Sequence, residues 1–426
     1  MRVLLLGNGG REHALGWKLA QSNKLDLLVS APGNPGLIEL GPVLQNLDLS
    51  NTTAVATAAE TYRADLVIVG PEAPLAAGVA DEVSNRGIAV CGPVAAAAQL
   101  EASKSYAKQI MTQAGVATAA ARTFLDPDAA EAHLAKAEGP FVVKADGLAA
   151  GKGVLVTDNR ETAIRWARFC LEGRIGEAGK KIVVEGYLEG PELSVIALCD
   201  GTRAIPFPVA RDYKRVSDGD QGPNTGGMGC YSPVDIPNKL VDNVMEEIIK
   251  PVLSTLAQEG IPYRGFLYAG IVLTDQGPQV LEFNCRLGDP ETQVVLPRLD
   301  EDLLDILGAA ATGCLPDKPL RITDKAVVNV VLAASGYPDK ARTGDAITGI
   351  DKALADQHVL VFQAGTAESL NENGLITAGG RVLNVVGTGP DLATARATAY
   401  RAADKIDFYG KHYRSDIADA PLTPSP

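Results

Sequence analysis

Three stretches of this 426-residue chain carry residue types whose spacing could do chemistry. The first is Lys144-Ala145-Asp146-Gly147-Leu148-Ala149-Ala150-Gly151-Lys152-Gly153, a glycine-rich loop with a lysine near each end. A P-loop reads G-x-x-x-x-G-K-[ST] and runs into a helix. Here three residues separate Gly147 from Gly151, Gly153 stands where Ser or Thr would, and an apolar run follows at 154–156. The loop therefore reads as a hairpin whose backbone and lysines suit nucleotide phosphates, or equally as a pliant hairpin with solvated lysines. The second stretch is Val280-Leu281-Glu282-Phe283-Asn284-Cys285-Arg286. Residues two apart on a strand share a face, so Glu282 and Asn284 point one way and Phe283 the other. A carboxylate beside an amide oxygen suits Mg²⁺, a hard cation held through oxygens. Arg286 could fork onto a carboxylate or a phosphate. A half-exposed strand with outward polar residues would show the same pattern. The third stretch, Arg211-Asp212-Tyr213-Lys214-Arg215, leads into a second glycine-rich loop, Gly222-Pro223-Asn224-Thr225-Gly226-Gly227-Met228-Gly229. Its cations could meet an anionic ligand or simply be solvated.

These residues need a frame to hold them. Four short apolar runs, at 3–6, 25–29, 66–69 and 88–91, each end in a loop rich in Gly or Pro, with helical stretches between them. Such runs indicate a parallel sheet of βαβ units. In open α/β sheets, ligands sit at the carboxyl ends of the strands. The first loop, Gly7-Asn8-Gly9-Gly10-Arg11-Glu12, departs from the dinucleotide fingerprint: Glu12 takes the place of the third glycine, and Ser30-Ala31 rather than an acid ends the second run. It reads as a phosphate-binding helix N-terminus or as a bare tight turn. Farther on, 141–144, 154–156 and 182–184 read as strands, with a helix at 160–172, a small α+β module inserted in a larger one. Strands at 193–209 and 265–284 flank a helix at 239–259. A third region starts near 325, with strands at 326–333, 359–363 and 381–386 and a helix at 392–406. Residues 420–426 read as a frayed tail.

Composition narrows the classes. At about 150 residues per domain the length suggests about three domains. A chain 46% hydrophobic, with 44 glycines and 26 prolines, is a folded, loop-rich protein rather than a disordered one. The net charge of −13 argues against a dedicated nucleic-acid binder, although local cations can still set the potential inside one cleft. The 6 cysteines form no CxxC pair, which suits reduced thiols in the cytoplasm. No apolar run reaches the roughly 18 residues of a membrane span, and the N-terminal run lacks the h-region of a signal peptide. A cytoplasmic protein with neither membrane nor nucleic acid as partner is expected.

The conjunction of motifs is more specific than any one of them. A glycine-rich hairpin, then Val184-Glu185-Gly186-Tyr187-Leu188, then Glu192, then Glu282-Phe283-Asn284 resembles the ATP-grasp superfamily. Gly-Asn-Gly-Gly-Arg-Glu-His at 7–13, Ala-Pro-Gly-Asn at 31–34, Gly-Pro-Glu-Ala-Pro-Leu at 70–75, the 222–229 loop and Asn-Cys-Arg-Leu-Gly-Asp-Pro-Glu-Thr-Gln at 284–293 narrow this. Together, over nearly the full chain, they resemble the phosphoribosylamine–glycine ligase (glycinamide ribonucleotide synthetase) family.

The resemblance implies an α/β and α+β multidomain fold. Its parts would be a parallel α/β (pre-ATP-grasp) domain at 1–101, an ATP-grasp domain at 102–324 with a lid at about 122–188, and a mixed α/β C-terminal domain at 325–426. It implies an ADP-forming ligase of purine biosynthesis that uses ATP with Mg²⁺ or Mn²⁺, takes glycine and phosphoribosylamine as substrates, and acts as a monomer. Lys104 and Lys144 would contact the ATP phosphates, with Lys144 also near the adenine. Gly147, Gly151, Lys152 and Gly153 would close over the phosphates. The backbone of Glu185, Gly186, Tyr187 and Leu188 would line the adenine, Glu192 would take the ribose hydroxyls, and Glu282 and Asn284 would hold the metal. Arg286 is expected on the glycine carboxylate or the transferred phosphoryl group, with Asp212 and Lys214 orienting the second substrate; Lys144, Arg286 and Asp212 form the catalytic set. Gly9, Gly10, Gly33, Asn34 and Glu72 are expected to contact phosphoribosylamine, and Asn224 is expected among the substrate-binding residues. The family usually has a second acid where Gly186 stands, and residues 266–273 offer no acid for a second metal.

The implied chemistry suits these residue types. Glycine's carboxylate is a poor acyl donor until it is phosphorylated, and phosphoryl transfer needs positioning and charge neutralisation rather than a protein nucleophile. The acyl phosphate must then be kept from water, which a closing lid provides. With 4 histidines, at 13, 133, 358 and 412, the chain offers little Ser-His-Asp or Cys-His machinery. Three rival readings are a superfamily ligase with another acid and amine, a dinucleotide-dependent oxidoreductase using loop 7–12, and a catalytically dead binding module. The joint presence of Lys144, Glu282, Asn284 and Arg286 weighs against the last.

Overall fold

The computed structural model describes residues 1–149, 153–237, 239–370 and 374–419. The four N-terminal apolar runs form one parallel sheet. Its strands are Arg2–Gly7, Leu27–Pro32, Leu66–Val69 and Ala89–Cys91, with the second strand on one edge beside the first, then the third and the fourth. Every residue of Leu66–Val69 is buried, as a strand covered on both faces must be. The carboxyl ends of these strands deliver loops 7–10, 32–35 and 70–72 to one edge of the cleft described below.

The body of the molecule is an antiparallel sheet. It runs from Ala204–Pro206 through Glu192–Asp200 and Arg264–Thr274 to Gly277–Asn284. The expected single strand at 265–284 is in fact a hairpin, because Gly277 adopts φ 99° and turns the chain. On Gly277–Asn284, Val280 and Phe283 are buried while Glu282 and Asn284 are half-buried on the other face. Residues 239–259 are helical from Leu240 to Gln258, with one widened turn.

A second antiparallel sheet is inserted into this body. Its strands lie in the order Ala121–Phe124, Ile182–Glu185, Phe141–Ala145 and Val154–Thr157. Helices Pro127–Leu134 and Arg160–Phe169 cover one face. Ala130, Leu134, Phe141, Val143, Ala163 and Ile182 belong to a hydrophobic core separate from the two larger ones. The helix expected at about 160–172 runs over Arg160–Phe169 and continues in a widened turn, Cys170–Arg174, broken only at Gly173 with φ 80°. The tail 420–426 lies outside the described residues.

The C-terminal strands complete a five-stranded antiparallel sheet in the order Arg211–Asp212, Gly229–Ser232, Ala326–Ala333, Arg381–Gly389 and Val359–Gln363. Helix Leu392–Ala403 packs on Arg381–Gly389 so closely that a Cβ on Gly387 would stand 2.3 Å from the Ala395 carbonyl oxygen. Through this sheet the Arg211–Arg215 stretch is anchored by residues more than a hundred positions downstream.

Candidate functional site

The inserted sheet, the body sheet and the first turn of helix Lys104–Gln113 meet around a cluster of cations. Lys144, on the edge of the phosphate-suited loop, is buried. Its Nζ donates to Glu185 Oε2 at 3.1 Å and to the Leu281 carbonyl at 3.3 Å, joining the insert to the strand that carries Glu282. Lys104 Nζ donates to the Gly147 carbonyl at 3.3 Å. Burial holds the Lys104 ammonium below its usual range; Lys144 adds to this, and Glu282, Asp146 and Glu185 oppose it.

Asp146 secures the base of the loop. Its carboxylate accepts the Ser105 N–H at 2.6 Å and the Ser103 hydroxyl at 2.9 Å, at the N-terminus of helix Lys104–Gln113, and Lys181 stands 3.3 Å away. An acid at a helix N-terminus is favoured by the exposed amides and the helix dipole. The glycines flanking the loop allow close approach, since a Cβ on Gly147 would lie 2.8 Å from Ala178 Cα and one on Gly153 2.8 Å from Ala149 Cβ. Gly151 and Lys152 lie outside the described residues.

Glu282 faces this cluster. Desolvation works against its charge, yet Lys214, Lys144, Lys104 and Arg286 outweigh it and hold the carboxyl below the usual range. Among the described residues no hydrogen bond or ion pair uses its oxygens. An ionised, uncommitted carboxylate next to the Asn284 amide oxygen fits a divalent cation. Two acids from other elements, Asp212 and Glu291, share this surrounding field. Desolvation is the main cause pushing the Asp212 carboxyl up to about 7; Lys214 opposes it and Glu291, Glu192 and Glu282 reinforce it. Lys214 is ion-paired with Glu192. Desolvation would lower the Lys214 ammonium, but Asp212, Glu192 and Glu282 raise it well above its usual range.

Arg286 is tightly engaged. Its Nη2 donates to Glu101 Oε1 at 2.7 Å and to Asn284 Oδ1 at 3.1 Å, and its Nε lies 3.4 Å from Glu72 Oε2. The Nε is buried without a hydrogen-bond partner. In this arrangement the fork is shared among protein acids, and Glu72 is one of them.

The N-terminal loops lie along the same cleft. Gly9 is a close neighbour of Asp289, to whose Oδ2 a Cβ would come within 3.3 Å. Arg381 binds Asp289 at 3.2 Å and the Gly226 carbonyl at 2.6 Å. Asn34 Nδ2 bridges the Asn8 carbonyl at 2.9 Å and the Gln363 carbonyl at 2.8 Å, while its Oδ1 is buried without a partner. Gly33 has φ 68°. Gly10 packs against Asn384 and Gln293. Asn224 is exposed on the rim. The Gly9 N–H donates to Glu12 Oε2 at 2.7 Å, so the amide a dinucleotide phosphate would need is already used, which disfavours the oxidoreductase reading.

Four residues with clear roles in this geometry were not singled out from the sequence. Asp146 stood within a quoted motif, as did Glu291, whose Oε1 accepts from Ser194 Oγ at 3.0 Å and Tyr268 OH at 2.9 Å. Arg381, which meets Asp289, and Lys108, whose Nζ meets Thr118, Ala119 and Glu185, carried no local signal, because no periodicity links them to these partners. At the segment expected to line the adenine, Gly186 donates its N–H to the Ala120 carbonyl at 2.9 Å, leaving only its carbonyl for a ligand, and Tyr187 is exposed.

Comparison with known proteins agrees with this architecture. Three phosphoribosylglycinamide synthetase family models match: the N domain over residues 1–101, the ATP-grasp (A) domain over 102–292 and the C domain over 327–420. The chain is 48% identical over 423 residues to a phosphoribosylamine–glycine ligase of Streptomyces coelicolor, covering 98% of this chain and 99% of that protein. It is 46% identical over 418 residues to the enzyme of the same name from Mesorhizobium japonicum, covering 98% and 97%. The crystal structure of a Thermotoga maritima phosphoribosylamine–glycine ligase superposes with TM-score 0.84 at 37% identity, covering 98% of this chain and 100% of that one. A Campylobacter jejuni biotin carboxylase in complex with β,γ-ATP shares the fold at TM-score 0.74 and 18% identity, covering 96% and 92%.

Proposed function

The chain belongs to the phosphoribosylglycinamide synthetase family and joins glycine to phosphoribosylamine at the expense of ATP in purine biosynthesis, and we propose that it does so through glycyl phosphate in the cleft between Glu282 and the loop 147–153. The observation that supports this site is the Glu282 carboxylate. It is ionised and uncommitted among four cations drawn from four elements: Lys104, Lys144, Lys214 and Arg286. Three of these cations also meet other acids, Lys144 with Glu185, Lys214 with Glu192 and Arg286 with Glu101, so they are held in place around the carboxylate where a polyphosphate arriving with a divalent cation would need them.

In this reading Glu282 and Asn284 would hold Mg²⁺ or Mn²⁺, which when bound neutralises phosphate oxygens. Lys104 and Lys144 fix the β- and γ-phosphates under the loop at 147–153. The backbone of Glu185–Leu188 receives the adenine through the Gly186 carbonyl and the Leu188 N–H, and Glu192 takes the ribose hydroxyls. Residues 122–188 act as the lid of the 102–324 unit. A glycine carboxylate oxygen attacks the γ-phosphorus, and ADP leaves with the bridging oxygen. The amine of phosphoribosylamine then attacks the glycyl carbonyl, and phosphate leaves carrying the glycine-derived oxygen. Arg286 and Lys214 hold the anionic reactants, and Asp212 orients the amine. Gly9, Gly10, Gly33, Asn34, Glu72 and Asn224 line the phosphoribosylamine side.

No helix of the described chain is long and apolar enough to cross a membrane. We place the enzyme in the cytoplasm as a monomer, with small molecules as its partners.

Isotope transfer tests the intermediate. Glycine labelled with ¹⁸O in its carboxylate should yield phosphate carrying one ¹⁸O atom per turnover. Unlabelled phosphate formed alongside labelled product would rule out the acyl phosphate.

A further inference from the structure

Lys108 lies one turn beyond Lys104, on the face of helix Lys104–Gln113 that meets the base of the inserted sheet. Its Nζ sits 3.2 Å from Glu185 Oε2, the same oxygen that receives Lys144 at 3.1 Å. It also donates to Thr118 Oγ1 at 2.8 Å and to the Ala119 carbonyl at 3.0 Å. Residues 118 and 119 lead into the insert, and Glu185 ends the strand that leads out of it. The two crossings are joined next door by the bond from Gly186 to Ala120. Thr118 Oγ1 in turn donates to the Val280 carbonyl at 2.6 Å, on the strand that carries Glu282. One ammonium thus holds both connections of the insert and, through Thr118, the metal-suited strand.

We propose that Lys108 is a positioning residue for the nucleotide: by sharing Glu185 with Lys144, it keeps Lys144 in place with a net positive charge left over for a polyphosphate. This rests on the reading of the cleft as the ATP site. The charge count gives the reason. Glu185 between two lysines leaves one unit of positive charge, whereas Glu185 with Lys144 alone would be neutral and would draw Lys144 away from a ligand. All three side chains are at most 13% exposed, so solvent screens the exchange weakly. Thr118 and the Ala119 carbonyl satisfy the remaining donors of Lys108, which fixes it as a prop rather than a phosphate ligand.

The test compares full-length wild type with K108M, K108Q and K108R. Binding of Mg²⁺ with a non-hydrolysable ATP analogue is measured by calorimetry, and KM values by ADP release. K108Q, which keeps a hydrogen-bond donor without the charge, decides the matter if K108M does not fold. The expected result is a roughly tenfold loss of analogue affinity and a matching rise in KM for ATP in K108M and K108Q. KM for glycine and kcat at saturating ATP should stay within about twofold, and K108R should recover most of the affinity. Wild-type affinity in a folded charge-neutral variant would overturn the inference alone. So would a loss that K108R does not rescue, or one matched by an equal rise in KM for glycine. Failure of wild type itself to bind the analogue would overturn the cleft reading, and this inference with it.

Discussion

Nη2 of Arg286 lies 2.7 Å from Oε1 of Glu101, and the other oxygen of that carboxylate accepts the Cys285 N–H at 2.7 Å. Burial pushes the Glu101 carboxyl above its usual range, with Arg286 opposing and Glu72 reinforcing the rise. Removing one partner of such a pair leaves a buried charge uncompensated, which typically costs about 3–5 kcal/mol. R286M should therefore lower stability by about that amount in urea unfolding, and R286M/E101Q should recover at least half of the loss. Additive losses in the double variant would show that the pair is not coupled.

Among the described residues, Glu282 has no hydrogen-bond or ion-pair partner to lose. E282Q should leave the unfolding midpoint within about 1 kcal/mol of wild type, because it removes a desolvated charge without orphaning a bonded group. Metal-dependent ADP release should fall by at least about a thousandfold, since charge neutralisation is the main contribution asked of this site. Near-normal turnover in E282Q would remove this carboxylate from the metal site.

The Asp212 carboxyl is raised from the ordinary 3.8 to about 7. The folded state therefore holds this proton more tightly than the unfolded chain does. Its contribution to stability is fully present below 3.8 and is lost as pH rises through about 7. D212N should flatten the decline of stability across that window, as read from denaturant midpoints. If the ionised carboxylate orients the amine, kcat/KM for phosphoribosylamine should rise through about pH 7 in wild type and lose that limb in D212N. An unchanged profile would exclude Asp212 as its source.

Two glycines should respond oppositely to alanine. A Cβ on Gly70 would stand 2.0 Å from Glu12 Oε1 and 2.7 Å from the Leu6 carbonyl oxygen. A Cβ on Gly186 would meet nothing nearer than the Ala120 carbonyl oxygen at 3.9 Å. G70A should destabilise by about 2 kcal/mol or more, whereas G186A should stay within about 0.5 kcal/mol. A thermal melt of each distinguishes them. Equal costs would show that the Glu12 side chain yields to the new methyl. The space at Gly186 also means that the family's usual acid could be accommodated there.

Much of the architecture was legible in the sequence because it is written in local pattern. The unbroken apolar run at 66–69 is a fully buried parallel strand, and the Glu-Phe-Asn alternation at 282–284 places its side chains as the period of two requires. Turn chemistry was less visible: the Gly277 turn depends on a single positive-φ glycine within a pattern that otherwise continues. The charge partnerships were not legible at all. Arg286 meets Glu101 and Glu72, and Arg381 meets Asp289, across separations that no periodicity encodes. Sequence identifies which groups are charged, but the fold decides whether Arg286 faces a ligand or its own acids.

The five-stranded sheet has a consequence for how this chain can be cut and recombined. Gly229–Ser232 pairs directly with Ala326–Ala333, so the strand neighbouring Asp212 and Lys214 borrows its hydrogen-bond ladder from the last quarter of the polypeptide. A shortened version ending near residue 324 would bare a row of unpaired amides and carbonyls beside Arg211–Arg215, an open template for self-association. Chimaeras spliced there would inherit a seam rather than a joint. Transplanting this enzyme's tail between relatives should succeed only when Arg211–Asp212 and Gly229–Ser232 travel with it.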